Sequence, residues 1–383
     1  MKNKFWGVSL CAAILLTGCA PVSEQPPEEE QQTRYDYSEK FISPVYEALS
    51  DYEKSLYDKI LSAVLGFEDS VSFDEPVPRD TARKIYKLVY SQERNYFWLS
   101  SMFYAPEDEL ELLQLKYVYE KEDAAKKSAE LEETAAAIIS ELPEDASDLE
   151  KVIFFHDRIV TGCEFSQSEE HVNSSYGVLV SGYAQCEGYA AAMALLCDRA
   201  GIPNYIVCGT NENGETHAWN KVVVDGSWYN SDCTRDDPIL KRDDPDFVRH
   251  DYCLISDTEI NGITHFPDEV YQGIAPSTDT KNNYFTAKGL LFSTAAGAAE
   301  SIREQIRSAG IAGKREAELR LSSEDVYYTV LSRFFDSGEI KRIIKEVNDT
   351  YGTEIRSAYK LTNEELYIVH ISLIYESDSV EEA

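Results

Sequence analysis

Three polar residues in one stretch of the sequence have the types and order of a nucleophilic site. Cys186 opens an Ala- and Leu-rich segment, His217 opens a β-like run, and Asp232 closes the next such run. A thiol nucleophile needs a base to take its proton and an anionic group to orient that base. Residues 177–232 therefore predict acyl transfer through a thioester.

The segment that begins at Cys186 reads as a helix, because it leads to the helix-ending residues Gly201 and Pro203. A thiol at a helix start lies near unpaired backbone N–H groups and the positive end of the helix dipole, and both favour the thiolate. The same N–H groups can bind the oxyanion of a tetrahedral intermediate. The sequence therefore predicts an activated thiol at Cys186.

A two-residue turn, Asp225-Gly226, joins two predicted strands, 216–224 and 227–232. Its length fixes the register and places Asp232 opposite the residue two positions after His217. Residues two apart in a strand share a face, so His217 and Asp232 are diagonal neighbours about 7–8 Å apart between Cα atoms. This geometry predicts a hydrogen-bonded His–Asp pair.

These residues resemble the transglutaminase-like superfamily over roughly Leu149 to Pro238. The matching motifs are Tyr176-Gly177-Val178-Leu179-Val180, Cys186-Glu187-Gly188-Tyr189-Ala190, Gly201-Ile202-Pro203, His217-Ala218-Trp219-Asn220 and Trp228-Tyr229-Asn230-Ser231-Asp232. The resemblance implies an α+β, papain-like core with the cysteine on a helix and the histidine and aspartate on adjacent antiparallel strands. It implies that Cys186 is the nucleophile, His217 the base and Asp232 the orienting residue.

One departure from the family follows the aspartate. Members often continue with Thr-Trp-Asp-Asp, whereas this chain has Cys233-Thr234-Arg235-Asp236-Asp237. Cys233 is thus a second thiol beside the triad, either oxidised with Cys186 or inert. The family also takes a second oxyanion donor from a side chain upstream of the cysteine, for which Tyr183 and Gln185 are both candidates.

The N-terminus has the pattern of an export signal. Lys2 and Lys4 precede an apolar run at 5–16, which is too short to span a membrane. The run ends in Leu16-Thr17-Gly18-Cys19, which resembles the lipobox of bacterial lipoproteins and implies that Cys19 is diacylated. Ordinary secretion with an incidental cysteine is the alternative.

The pattern divides the chain into six segments. In order they are a lipoprotein signal peptide (1–18), an acidic and Pro-containing tether (19–36), a mainly helical N-terminal region (37–146), the transglutaminase-like catalytic domain (147–275), a linker (276–283) and a small α+β C-terminal domain (284–383).

Apolar spacing predicts the secondary structure of the flanking regions. In the N-terminal region it predicts helices at 37–66, 79–92 and 123–142 and a hairpin between 95–104 and 109–119. In the C-terminal domain it predicts helices at 295–308 and 339–350, a helix capped by Ser322 or Ser323, and strands at 316–321, 354–359 and 365–375.

The remaining polar residues suggest structural roles. A capping box at Ser147 opens a helix on which His156 is expected to be a core or boundary histidine, and His265 is expected in a loop. The acidic residues Asp236-Asp237 and 243–246 are expected to form a solvated loop rather than a calcium site.

Charge and cysteine spacing limit the cofactors and partners. The formal net charge of −33 argues against nucleic acid as a partner. Beyond the signal, no two cysteines have the close spacing of a zinc site, so we expect no metal and no cofactor. One disulfide is possible in an exported protein, with no pairing indicated. The six cysteines are Cys163, Cys186, Cys197, Cys208, Cys233 and Cys253.

Two functions fit the sequence. The first is a lipid-anchored extracytoplasmic enzyme that acts on peptide or side-chain amides, with hydrolysis favoured over crosslinking and cell-wall peptides among its candidate substrates. The second is a catalytically silent adhesion or binding module that keeps the fold. The complete triad favours the first.

Overall fold

The computed structural model describes residues 42–94, 96–237 and 248–378. The expected signal peptide, Cys19, the tether and the acidic residues 243–246 lie outside these residues, and the segment boundaries given above remain predictions. These described residues form one compact unit. In the part of the chain that is described, no helix combines the length and apolarity that a membrane crossing requires.

The N-terminal region is mainly helical, and its first long helix starts later than the sequence indicates. A capping box between Ser50 and Glu53 begins a new helix after a short one, so the helix expected over 37–66 is interrupted. In chain order the elements are α1 (Pro44–Glu47), α2 (Asp51–Gly66), β1 (Ser70–Pro78), α3 (Arg79–Gln92), β2 (Glu109–Gln114) and α4 (Lys121–Ser140).

The hairpin expected between 95–104 and 109–119 is present only in part, as an isolated antiparallel bridge between Leu99 and Tyr117. Strand β2, at the start of the second run, pairs antiparallel with β1 instead, with Leu113 opposite Val71. The sequence pattern did not reveal strand β1, because an irregularity between Ser72 and Val77 breaks the alternation of buried and exposed residues. Pairing β2 with β1 buries Val71 and Leu113 in one core cluster.

The central part of the chain is a five-stranded antiparallel sheet with helices beside it. The strands follow the order β8-β7-β6-β5-β9. Its elements are α5 (Asp148–Gly162), β3 (Glu164–Phe165), β4 (Tyr183–Ala184), α6 (Cys186–Arg199), β5 (Asn204–Asn211), β6 (Thr216–Val224), β7 (Ser227–Ser231), α7 (Cys233–Asp236), β8 (Cys253–Ile255), α8 (Asp257–Ile260) and β9 (His265–Pro267).

Both faces of this sheet are covered. Small residues of α6, Ala190 and Ala194, pack against Ile206 and Ala218 on one face. On the other face, Trp219 shares a core cluster with the helices of the N-terminal region. The sheet therefore lies between α6 and the helices of the N-terminal region, which we call the N-terminal cover. This packing fixes the ends of the strands.

The C-terminal part has its own four-stranded sheet, in the order β10-β11-β13-β12. The expected helices and strands are all present there, with ends that differ by a few residues, and the middle helix begins after Ser323. The elements are α9 (Tyr284–Ala287), β10 (Leu291–Phe292), α10 (Ala295–Ala312), β11 (Glu316–Leu321), α11 (Glu324–Leu331), α12 (Glu339–Tyr351), β12 (Ile355–Asn363) and β13 (Ile368–Tyr375).

Gly209 lets β9 approach β5 closely. A Cβ on Gly209 would lie 2.1 Å from the carbonyl oxygen of Phe266, a backbone atom that cannot turn away. We expect Gly209→Ala to lower the free energy of unfolding by about 1–3 kcal/mol, the usual cost of overpacking. Chemical denaturation followed by circular dichroism measures this difference.

Gly162→Ala is the matched control. A Cβ at this last position of α5 meets no atom within 4 Å, and alanine is favoured over glycine in helices. Its stability should equal or slightly exceed that of the wild type. An equal effect of the two substitutions would contradict the steric explanation.

Candidate active site

Cys186 is the first residue of α6. Its N–H has no acceptor within the helix, because the first N–H groups of a helix lack a carbonyl four residues earlier. The residue is half-buried and lines a large cavity. The position thus combines the helix-terminus electrostatics expected from the sequence with access for a substrate.

The paired strands have the predicted register. Val224 lies opposite Ser227, and Asn220 lies opposite Ser231. The Nε2 atom of His217 lies 2.6 Å from Oδ2 of Asp232, so the predicted His–Asp hydrogen bond is present. The His217 ring also interacts with the side chain of Cys186, through a hydrogen bond and through charge.

Asp232 lies one position beyond the strand to which the sequence assigned it. Strand β7 ends at Ser231, and Asp232 is the N-cap of α7. Its Oδ1 accepts the N–H groups of Thr234 and Arg235 at 3.0 and 3.2 Å. Capping leaves Oδ2 to face His217, so one side chain both starts a helix and orients the imidazole.

His265 is a member of the site that the sequence assigned to a loop. It begins β9, is fully buried, and its Nε2 lies 2.9 Å from Oδ2 of Asp232. Thr264 Oγ1 lies 2.9 Å from its Nδ1. Burial lowers the pKa of His265, so the neutral ring donates from Nε2 to Asp232 and accepts from Thr264.

His265 could not be found from local sequence. The strand that carries it has three residues and pairs with β5, more than fifty positions earlier in the chain. A pattern with period two needs more residues than this to be recognised. The only sequence signal for a role in the site is the residue type, a histidine that follows the triad in the chain and precedes Pro267.

The environment of His217 sets its protonation. Burial lowers the pKa of the ring, but the charge and hydrogen bond of Asp232, together with Cys186, outweigh burial and raise it to about 10. Burial likewise opposes ionisation of Asp232, but His217 and His265 hold its pKa well below the usual range. At neutral pH the pair is an imidazolium and a carboxylate.

The rest of the His217-Ala218-Trp219-Asn220 motif supports this pair. The Trp219 ring stacks beside His217 at 6.0 Å and meets His265 edge-on at 4.7 Å between centroids. Asn220 Nδ2 donates to the carbonyl oxygen of Ala190 at 2.9 Å and so ties β6 to α6. The motif therefore fixes His217 relative to the helix that carries Cys186.

The cavity at Cys186 has a volume of about 1680 Å³. Its walls come from the N-terminal region, the central sheet and the C-terminal part, including Arg94, His217 and Asn363. Gln185 is among the lining residues, whereas Tyr183 is not. Of the two candidate oxyanion donors, Gln185 alone faces the space in which a substrate would lie.

Helix α3 contacts Glu187, the residue that follows Cys186. Tyr90 donates its hydroxyl to Oε2 of Glu187 at 3.1 Å, and Nη2 of Arg94 lies 3.6 Å from the same oxygen. Arg94 also lies over the Tyr90 ring at 4.2 Å. The N-terminal region thus forms one wall of the site.

The six described cysteines are thiols rather than disulfides. The disulfide that the sequence allowed is therefore not formed among them. Cys233 is buried, and burial raises the pKa of its thiol well above the ordinary value. This favours an inert Cys233 over a partner for Cys186.

Asp236 and Asp237 do not belong to a solvated loop, so that expectation is wrong for both. They are buried; Asp236 accepts the N–H of Tyr252 at 3.0 Å, and Asp237 accepts the hydroxyl of Tyr189 at 2.5 Å. His156 is fully buried and lies 3.0 Å from Asp236. The sequence missed this because the short helix α7 turns both carboxylates inward.

Two groups of side chains in the described ranges have ligand atoms close enough for a metal ion. One is His217, Asp232 and His265, whose contacts are explained by the proton-transfer arrangement of the site. The other is made of His156, Asp157 and His250 and lies outside the set of residues around Cys186.

Comparison with known proteins matches residues 133–233 to the profile of the transglutaminase-like superfamily, which confirms the expected α+β fold. A structure named as that of a candidate cysteine protease from Cytophaga hutchinsonii is 21% identical, with a TM-score of 0.24, over 28% of this chain and 37% of that one. A structure named as a TGase is 16% identical, with a TM-score of 0.27, over 46% of this chain and 52% of that one. No curated protein matches the chain.

We expect iodoacetamide to alkylate Cys186 faster than the other described cysteines at pH 7. Cys186 is partly exposed to the cavity, at a helix start beside the charged ring of His217. Burial raises the pKa of four of the other thiols. Peptide mapping by mass spectrometry after brief exposure identifies the modified residue.

His217→Ala should slow this alkylation roughly tenfold, the effect of about 1.4 kcal/mol. His171→Ala is the control, because His171 contacts Tyr119 and does not line the cavity. Equal alkylation rates in both variants would show that His217 does not activate the thiol.

Proposed function

We propose, on the premise that this chain carries a transglutaminase-like core, that it is a cysteine-nucleophile enzyme that hydrolyses peptide or side-chain amides. The observation that carries the proposal is the arrangement of Cys186, His217 and Asp232. The thiol starts a helix, the imidazole contacts it, and the carboxylate lies 2.6 Å from the imidazole. These are the three parts that thiol-based acyl transfer requires.

In the first step the Cys186 thiolate attacks the amide carbon, and the carbonyl oxygen gains negative charge. The backbone N–H of Cys186 and the side-chain amide of Gln185 are the donors we assign to that oxygen. His217 then gives its proton to the leaving nitrogen, the C–N bond breaks, and a thioester remains.

In the second step His217, now neutral, takes a proton from water, which attacks the thioester and releases an acid. An amine in place of water would give a crosslink. We favour water, because an enzyme outside the cytoplasm meets far more water than amine. Asp232 keeps the imidazole oriented in both steps, and His265 holds Asp232.

The size of the cavity favours a segment of a polymer over a small metabolite. Its volume of about 1680 Å³ exceeds the roughly 300–1,000 Å³ of ordinary ligand pockets. Among its charged lining residues, nine are acidic and six are cationic when the protonated ring of His217 is included. Peptides that carry a cationic group near the cleaved bond, cell-wall peptides among them, fit this lining best.

We further propose that the chain is anchored outside the cytoplasm through a lipid on Cys19. The support is the apolar run that ends in Leu16-Thr17-Gly18-Cys19, followed by a polar, acidic tether. A lipid on Cys19 would keep the enzyme close to the membrane and to wall peptides.

The second candidate function is a silent binding module with the same fold. The large cavity supports it, because binding needs the cleft but not the triad. The hydrogen-bonded His265 and Thr264 behind Asp232 favour catalysis, because binding alone gives no reason to orient the His–Asp pair so fully.

Incubation of the full chain with a peptide library, with and without an added primary amine, tests the proposed reaction. We expect new carboxylates and free amines by mass spectrometry, and faster cleavage of peptides with Lys than of matched peptides with Glu near the cleaved bond. Cys186→Ala should lower turnover at least about 1000-fold. Turnover that survives this substitution would rule out the thioester route, and amine incorporation without cleavage would make crosslinking the reaction.

The pH profile of the same assay gives a further control. Activity needs protonated His217, so it should fall as the pH rises through about 10. Asp232→Asn removes the charge that raises this pKa, so the fall should move to lower pH, as well as lowering turnover. An unmoved alkaline limb would show that Asp232 does not set the protonation of His217.

Lipidation is tested by feeding an alkynyl fatty acid to a bacterium that expresses the full chain. We expect label on the wild type and none on Cys19→Ser, because the thioether forms on that sulfur. Cys11→Ser is the matched control and should keep the label, since Cys11 lies inside the apolar run. Loss of label in both variants, or in neither, would contradict a specific anchor at Cys19.

A further inference from the structure

We propose that His156, Asp157 and His250 bind a divalent transition-metal ion at a site separate from Cys186. Nδ1 of His156 lies 3.1 Å from Oδ1 of Asp157, and Nε2 of His250 lies 3.0 Å from the same oxygen. Both imidazoles therefore point at the same oxygen of the Asp157 carboxylate, rather than one at each oxygen. Ligand atoms around one ion converge in this way.

Each histidine is also oriented from behind by a carboxylate. Nε2 of His156 lies 3.0 Å from Oδ2 of Asp236, and Nδ1 of His250 lies 3.0 Å from Oε1 of Glu318. Metal-binding histidines usually donate their other N–H to such a carboxylate, which fixes the tautomer and directs the free lone pair at the ion. This chain has that arrangement twice around one point.

The rings are held rigidly around the site. The His156 ring stacks on that of His250 at 5.3 Å, and the His250 ring lies flat on Tyr284 at 3.7 Å between centroids. The hydroxyl of Tyr284 in turn donates to Glu318 at 2.7 Å. Preset ligands lose little freedom on binding, which favours affinity.

The site is closed on one side and open on the other. The side chains of His156 and His250 are 0% and 7% exposed, whereas that of Asp157 is 42% exposed. An ion can therefore enter past Asp157, and water can complete its coordination from the same side.

The ligand set selects the class of ion. Two imidazole nitrogens and one carboxylate oxygen suit Zn²⁺, Fe²⁺ or Co²⁺, whereas Ca²⁺ and Mg²⁺ prefer oxygen ligands. The expectation of no metal rested on cysteine spacing, which carries no information about a site built from histidines 94 positions apart.

A metal here would link three secondary-structure elements. His156 and Asp157 lie on α5, Asp236 on α7, and Glu318 on β11 of the C-terminal sheet. The ion would thus fasten the C-terminal sheet to the central helices. It would also stabilise α7, the helix that Asp232 caps.

The test uses the full chain after treatment with a chelator. Zn²⁺ is titrated by calorimetry and Co²⁺ by visible absorption, with metal content per chain measured by mass spectrometry. We expect one ion per chain, a higher melting temperature with Zn²⁺, and Co²⁺ bands without the strong absorption of a thiolate ligand. Mg²⁺ should neither bind stoichiometrically nor raise the melting temperature.

Variants locate the ion. Asp157→Asn and His250→Ala should each weaken Zn²⁺ binding at least tenfold, whereas the double variant Cys186→Ala/His217→Ala should bind as the wild type does. The partly exposed Asp157 makes its substitution the milder one, and its metal-free melting temperature reports whether it folds. The proposal would be overturned if the double variant lost Zn²⁺ binding while the Asp157 and His250 variants kept it. It would also be overturned if no protein bound Zn²⁺ stoichiometrically, and the contacts would then be ion pairs alone.

Discussion

The buried carboxylate of Asp232 holds the site together. An unpaired charge at this depth would cost several kcal/mol, so its partners must be fixed by the fold. Its two oxygens contact two imidazoles and two backbone N–H groups. These partners come from β6, β9 and α7, so the carboxylate can be satisfied only when all three elements are in place.

The same constraint explains how the layers are arranged. Helix α6 must pack closely on the sheet to bring its first residue to His217, and the alanines of its buried face permit this approach. Asn220 fixes the spacing through its bond to Ala190. The N-terminal cover then buries Trp219 on the opposite face, which keeps water from the His–Asp pair and strengthens its electrostatic interaction.

Local signals predicted those parts of the site that local structure positions. The turn Asp225-Gly226 sets the register of two adjacent strands, and Gly201 ends the helix of the nucleophile, so Cys186, His217 and the His–Asp contact follow from sequence. His265 and the inward carboxylates of α7 depend on contacts between distant segments, which no periodicity records. The strand β1 was missed for a related reason, since its pairing partner lies beyond an intervening helix.

Strand β13 places Ile368 in the core cluster that also contains residues of α5 and α6. Asn363, at the end of β12, lines the cleft, and its side-chain amide donates to Asp251 at 3.1 Å. Strands β12 and β13 therefore complete both the core and a wall of the cleft. Cys186 therefore has its complete cleft only when segments more than 170 positions apart in the chain have packed together.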